Sequence, residues 1–224
     1  MRSQPKQAVL FDLDGTLLDT IDDLADCMNE AVAAEGLPTA PVAAHKLMVG
    51  DGVANYVLRM LPADRRQDQD LIQRITGRYR ELYSGRWAAK TRPYDGIPQL
   101  LDALGQRRLR LAVLSNKPDG FTRQMIRHFL GRFPFAAVRG AVENVPLKPD
   151  PAAALDIAAQ MGVSPEQFLY VGDTGTDMKT ALAAGMFPVG VLWGFRSREE
   201  LQTAGARALI DHPMQLLESV SEHV

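Results

Sequence analysis

Ala8-Val9-Leu10-Phe11, followed at once by Asp12-Leu13-Asp14-Gly15-Thr16, is the stretch on which the architecture of this 224-residue chain turns. Four consecutive apolar residues that stop abruptly in two acids and a glycine predict a short buried strand running into a loop. After Asp19 the period becomes helical, with Ile21, Leu24, Ala25, Met28 and Val32 on one face and Gly36 and Pro38 as stop signals. Val53, Val57, Met60 and Leu61 repeat that spacing, and so do Leu71, Ile75, Tyr79 and Leu82. Residues 19–90 are therefore predicted to be wholly helical.

Beyond Pro93 and Gly96 the texture alternates. Ile97, Leu100, Leu101 and Leu104 predict a helix, 109–114 a strand, 121–129 a helix, 136–141 a strand, 151–161 a helix and 168–171 a strand. A helix over 175–184, a strand over 189–192 and a last helix after His212-Pro213 complete the series. Apolar strands separated by amphipathic helices need crossover connections, which predicts an α/β fold: a parallel sheet covered on both faces, interrupted after its first strand by an all-helical insertion. The expected domains are a core of residues 1–18 and 91–224 and a helical domain of residues 19–90.

Composition narrows the function. Hydrophobic residues at 46% and charged residues at 23% are ordinary for a packed globular chain. A formal charge of -2 argues against nucleic acid as a partner, because polyanion binding needs a concentrated basic surface. Arg107, Arg108 and Arg110 read as a solvated helix end. A single cysteine, Cys27, allows neither an intrachain disulfide nor a multi-cysteine zinc site; it sits on an apolar helix face and reads as a small core residue. The polar segment Met1 to Gln7 lacks a signal-peptide pattern and no stretch reaches the length of a membrane span, so a cytoplasmic protein without membrane contact is expected. His45, His128, His212 and His223 show no metal-ligand spacing.

Open α/β sheets bind ligands beyond the carboxyl ends of their strands, so the informative residues are those that follow each strand. There stand Asp12, Asp14, Gly15 and Thr16, then Ser115, Asn116 and Lys117, then Gly172, Asp173 and Asp177, with Lys148 in the loop between the last two sets. Asp12 is ionised at neutral pH and needs no base to attack phosphorus. Its repulsion from a phosphate is cancelled by Mg²⁺ near Asp12 and Asp173 and by the Lys148 ammonium. Oxygen ligands suit that ion. Asp14, two residues on in an extended segment, is expected on the same side, with its proton affinity raised by Asp12, as acid for the leaving group and base for water. Backbone amides at Gly15 and Thr16 and the side chains of Ser115 and Asn116 are expected to bind phosphate oxygens, and Asp177 to orient Lys148 or a metal-bound water. Each motif alone has a plain reading as a turn, a helix cap or a surface charge; their joint order after successive strands favours chemistry.

Together these motifs resemble those of the haloacid dehalogenase-like hydrolases over essentially the whole chain: Asp12 to Thr16 the first, Ser115-Asn116 the second, Lys148 the third, and Gly172-Asp173 through Asp177 the fourth. The resemblance implies a Rossmann-like core, an aspartyl-phosphate at Asp12, acid/base work by Asp14, and Mg²⁺ held by Asp12, the Asp14 carbonyl and Asp173. It also implies that the helical insertion is a mobile cap hinged near Leu18 to Thr20 and Thr91 to Tyr94.

The substrate is expected to be a small phosphorylated metabolite, since a halide leaving group would need no acid such as Asp14. The run from Asp12 to Asp26, together with Val49-Gly50-Asp51-Gly52 and Arg59, resembles phosphoglycolate phosphatases. Gly52 and Arg59 then become substrate-binding candidates, the guanidinium pairing with a carboxylate; the alternative for Arg59 is a surface salt bridge. Gly-Asp-Thr-Gly-Thr-Asp departs from the fourth motif often found in those enzymes, so a phosphosugar mutase resembling β-phosphoglucomutase, another small-metabolite or pyrophosphate phosphatase, and a non-catalytic binding module stay open. Monomer and homodimer are both compatible with the sequence. Trp193-Gly194-Phe195-Arg196 has no assigned role, its aromatics reading as core or domain-interface residues.

Overall fold

The computed structural model describes residues 5–221. Residues 1–4 of the polar N-terminal segment, and His223, lie outside them. In chain order the elements are β1 (Ala8–Phe11), β2 (Leu18–Asp19), α1 (Ile21–Ala33), α2 (Val42–His45), α3 (Val53–Met60), α4 (Gln69–Arg86) and β3 (Arg92–Pro93). There follow α5 (Ile97–Gln106), β4 (Arg110–Pro118), α6 (Asp119–Leu130), β5 (Phe135–Ala141), α7 (Ala152–Met161) and β6 (Phe168–Gly172). The chain closes with α8 (Gly175–Ala183), β7 (Phe187–Val191), α9 (Arg198–Thr203), β8 (Ala208–Ile210) and α10 (Leu216–Ser221). Two compact units result: Met1–Leu18 with Pro93–Val224, and Asp19–Arg92. The linking segments β2 and β3 pair as a two-stranded sheet.

The first unit is built on a six-stranded sheet of order β5-β4-β1-β6-β7-β8. All its pairings are parallel, so the chain is α/β. From β1 the chain fills one side with β4 and β5, then returns to the other side with β6; β1 is thus the switch point, where a crevice opens beyond the strand ends. Register fixes what meets there. Phe11 pairs with Val113 on one side and Val171 on the other, so Asp12, Leu114 and Gly172 emerge side by side. Alternate residues of the central strands, Ala8, Leu10, Ala112, Leu114, Phe168 and Tyr170, pack against Ile157, Ala158 and Met161 of α7 and Ala181 of α8. Their neighbours Val9, Phe11, Leu111, Val113, Leu169 and Val171 are equally buried, as a sheet covered on both faces requires.

Several details differ from the sequence expectation, among them the unpredicted helix α9. The second predicted strand does not stop at Leu114: β4 runs to Pro118, carrying Ser115, Asn116 and Lys117 inside its buried end. A polar composition hid this stretch because those side chains find partners within the protein. β8, three residues long, is too short to show a period. Residues 19–90 are not wholly helical, since Asp19 belongs to β2 and extended segments separate the helices.

In the second unit α1 packs along α4, and α3 also lies on α4. Cys27 is fully buried, and burial pushes its thiol up to about 11. His45, which shows no metal-ligand spacing, serves the packing of this unit. It is fully buried, its Nδ1 lies 2.7 Å from the Tyr56 hydroxyl and its Nε2 3.1 Å from Asn29 Oδ1, while Asn29 itself bonds the Ala40 backbone through both amide atoms. Burial lowers the imidazole's proton affinity, consistent with a neutral ring tying α2 to α1 and α3. Asp23 of α1, also buried, accepts hydrogen bonds from the amides of Lys90 and Thr91 and from the Thr91 hydroxyl. Among the described residues no helix is long and apolar enough to cross a membrane.

Candidate active site

At the exit of β1, Asp12 is 6% exposed and its amide continues the ladder by donating to the Val171 carbonyl at 2.9 Å. Its Oδ1 lies 2.8 Å from Lys148 Nζ, yet this oxygen accepts no well-directed hydrogen bond among the described residues. The same ammonium donates to Asp177 Oδ1 at 2.7 Å and to the Leu114 carbonyl at 3.2 Å. Lys148 is thereby fixed between two acids. Burial works against its charge, but Asp12 and Asp177 outweigh burial and hold it protonated.

Asp177 is fixed from its other side. As the third residue of α8 it closes a capping box with Thr174, whose hydroxyl donates to Asp177 Oδ2 at 2.6 Å. Gly172 makes room for this: a Cβ there would lie 2.4 Å from Asp177 Cβ. Asp173, fully buried, accepts from the Thr16 hydroxyl on Oδ1 at 2.9 Å and from the Phe195 amide on Oδ2 at 2.8 Å. Burial first, then Asp177, pushes Asp173 up to about 7. The Asp12 carboxyl is raised by burial and by Asp177, against the opposing pull of Lys148.

Carboxylate oxygens of Asp12, Asp173 and Asp177 come within 4.8 Å of one another. Three buried acids stand here against the ammonium of Lys148, which pairs with Asp12 and Asp177 and leaves Asp173 without an ion-pair partner in the cluster. A hard, oxygen-preferring divalent cation fits that charge and that donor set, with Asp12 and Asp173 the acids left to hold it, since Asp177 is taken by Lys148 and Thr174.

Several predicted contacts fall differently. The amides of Gly15 and Thr16 do not point out of the loop: they donate to the carbonyls of Leu18 and Leu13, because a turn this tight closes on its own backbone. The contribution of Gly15 is space, since a Cβ would lie 2.3 Å from Asp173 Oδ2 and its φ is +84°. Asn116 clasps the Lys148 backbone, Nδ2 donating to the carbonyl at 3.1 Å and Oδ1 accepting from the amide at 2.9 Å. Ser115 Oγ accepts the Lys117 amide at 3.2 Å, which leaves its own proton to donate. Asp14, at the loop's surface, receives Lys117 Nζ at 3.1 Å on both oxygens. Lys117 had no assigned role, although it stands next to Ser115-Asn116. In the helical unit Gly52, at φ +87°, opens α3, and Arg59 forms an ion pair with Asp51 and donates to the Met48 carbonyl at 2.8 Å.

Residues 9–191 match the family model described as haloacid dehalogenase-like hydrolase. The chain is 37% identical over 210 residues to a phosphoglycolate phosphatase of Rhodospirillum rubrum, covering 92% of this chain and 87% of that protein. It is 33% identical over 222 residues to the N-acetylmuramic acid 6-phosphate phosphatase of Pseudomonas aeruginosa, covering 97% and 96%. Among solved structures, a predicted phosphoglycolate phosphatase from Haemophilus somnus superposes with a TM-score of 0.88 at 25% identity, covering 96% of this chain and 97% of that one. Sheet order, the acids gathered at the switch point and these likenesses agree: the chain belongs to the haloacid dehalogenase-like hydrolases and is an enzyme of that family.

Proposed function

We propose that the protein is a magnesium-dependent phosphomonoesterase of small phosphate esters bearing a carboxylate, phosphoglycolate foremost, working through a phosphoaspartate at Asp12. The observation that carries this reading is Asp12 itself: a buried carboxylate at the exit of the central strand, its Oδ1 2.8 Å from the Lys148 ammonium and grouped with the buried acids Asp173 and Asp177.

In this reading an oxygen of Asp12 attacks phosphorus in line with the ester oxygen. The new P–O bond forms as the old one breaks, and the departing alkoxide takes a proton from Asp14. Water then attacks the phosphoaspartate, giving its proton to Asp14 while its oxygen displaces Asp12; both carboxyls are restored and phosphate leaves. Lys148 stays protonated throughout and offsets the charge gathered at phosphorus, and the Ser115 hydroxyl donates to a phosphate oxygen. Bound magnesium, held by Asp12, Asp173 and the Asp14 carbonyl, would supply the positive charge that keeps the acids ionised and draws in the phosphate. Arg59 is proposed to recognise the substrate carboxylate in exchange for Asp51, and Gly52 to give that segment its conformation, within a helical domain that acts as a selective cap.

The Rhodospirillum relative's name supports phosphoglycolate; the Pseudomonas relative, aligned over 97% of this chain, favours a second reading in which the ester is a carboxylated sugar phosphate. Phosphate release from phosphoglycolate, N-acetylmuramic acid 6-phosphate, glucose phosphates and pyrophosphate, each with and without Mg²⁺, separates them. Magnesium-dependent release from phosphoglycolate above the others is the expected result. Preference for the muramic acid ester moves the assignment to the second reading. Interconversion of glucose phosphates without release would overturn both.

A further inference from the structure

The loop Trp193-Gly194-Phe195, between β7 and α9, is tied into the site from three directions. Its start is anchored by the Leu192 amide, which donates to the Ile210 carbonyl at 2.9 Å. The Trp193 indole N–H then donates to the Thr16 carbonyl at 3.0 Å, and the Phe195 amide to Asp173 Oδ2 at 2.8 Å. Between these two contacts the backbone passes so close that a Cβ on Gly194 would sit 2.3 Å from Asp173 Cβ, 2.5 Å from the Gly15 carbonyl oxygen and 2.6 Å from Asp173 Oδ2.

Thr16, held at its carbonyl by Trp193, is the same residue whose hydroxyl donates to Asp173 Oδ1. Each oxygen of Asp173 thus receives one hydrogen bond from a group the loop either supplies or holds in place. A carboxylate offers about four lone-pair positions, so these two bonds fix its plane and still leave electron pairs free. A core aromatic chosen for bulk alone would not need its N–H aimed at the turn that carries Asp12.

We propose that Trp193, Gly194 and Phe195 are positioning residues that hold the Asp173 carboxylate in the orientation needed to bind a divalent cation, and so set the cation affinity of the site. The inference rests on Asp173 being a ligand, as in the proposed function. Partners that orient a ligand commonly contribute a ten- to hundredfold effect on metal affinity.

The test is calorimetric titration of Mg²⁺ into the full chain without substrate, for the wild type, Trp193→Phe and Gly194→Ala, together with the melting temperature of each without metal. Trp193→Phe removes the indole N–H and the smaller ring while keeping an aromatic side chain; a role in packing alone would show as a lower metal-free melting temperature with the Mg²⁺ affinity unmoved. Its Mg²⁺ dissociation constant is expected to rise about tenfold, with a melting temperature close to wild type. Gly194→Ala is expected to weaken binding further; if it does not fold, Trp193→Phe decides alone. Equal Mg²⁺ affinity in wild type and Trp193→Phe overturns the positioning role and leaves Asp173 as a ligand. No Mg²⁺ binding by the wild type overturns both.

Discussion

Asp12, proposed to attack as an anion, is buried beside Asp173 and Asp177, with the Lys148 ammonium 2.8 Å away to offset that charge. Asp12→Asn keeps the shape and removes one negative charge from the cluster, so the variant is expected to fold with an undiminished melting temperature without metal. Turnover should fall at least about a thousandfold, as steady-state phosphate release would show; near-normal activity would end the nucleophile assignment. Asp14, proposed as the acid, is held by Lys117, whose ammonium meets both its oxygens. Lys117→Met should lower kcat about 10- to 100-fold on an alkyl phosphate and much less on p-nitrophenyl phosphate, whose leaving group hardly needs a proton. Equal losses on both would show that Lys117 acts other than through Asp14. Asp12 and Asp173 were legible because each carries its own functional group just past a strand end, Asp177 because it opens the helix that follows, and Lys148 because its ammonium stands in the loop between those motifs. Asn116, Thr16, Trp193 and Phe195 were not legible as they are used: they act on a neighbour's backbone or carboxylate, and no spacing in the sequence records that.

Among the elements, the central strands and the long helices were readable because each buries an apolar face with a clear period. The end of β4 was hidden by Ser115, Asn116 and Lys117, polar residues on a buried strand, and β8 by its brevity. The helical unit offers a separate stability test. Its first helix reaches its last residues through Asp23, a buried carboxylate accepting from two amides and a hydroxyl near Lys90 and Thr91. Asp23→Ala leaves those donors without their acceptor and is expected to cost about 2–3 kcal/mol, read from urea unfolding. A loss under 0.5 kcal/mol would mean that water takes over the role at about the ordinary cost of a surface change.

For the molecule as a whole, the acid cluster sets a dependence of stability on pH. The Asp173 carboxyl is raised to about 7 in the fold, whereas in the unfolded chain it titrates near an ordinary ~4. The folded form therefore binds more protons between these values, and the stability contributed by neutral Asp173 is complete below the lower one and lost as pH rises through the higher. The metal-free protein is expected to melt lower at pH 8 than at pH 5.5. Added Mg²⁺ should reverse the order, raising the melting temperature more at pH 8, where protons no longer compete for the carboxylates. A Mg²⁺ shift independent of pH would show that the cation does not use this cluster. One small residue under the cluster has a consequence of another kind. Gly172 carries no side chain that could react, yet its missing methyl is the volume in which Asp177 stands. In a library of every single substitution, position 172 should therefore be as intolerant as the acids themselves, and an inspector looking only for reactive groups would pass over it.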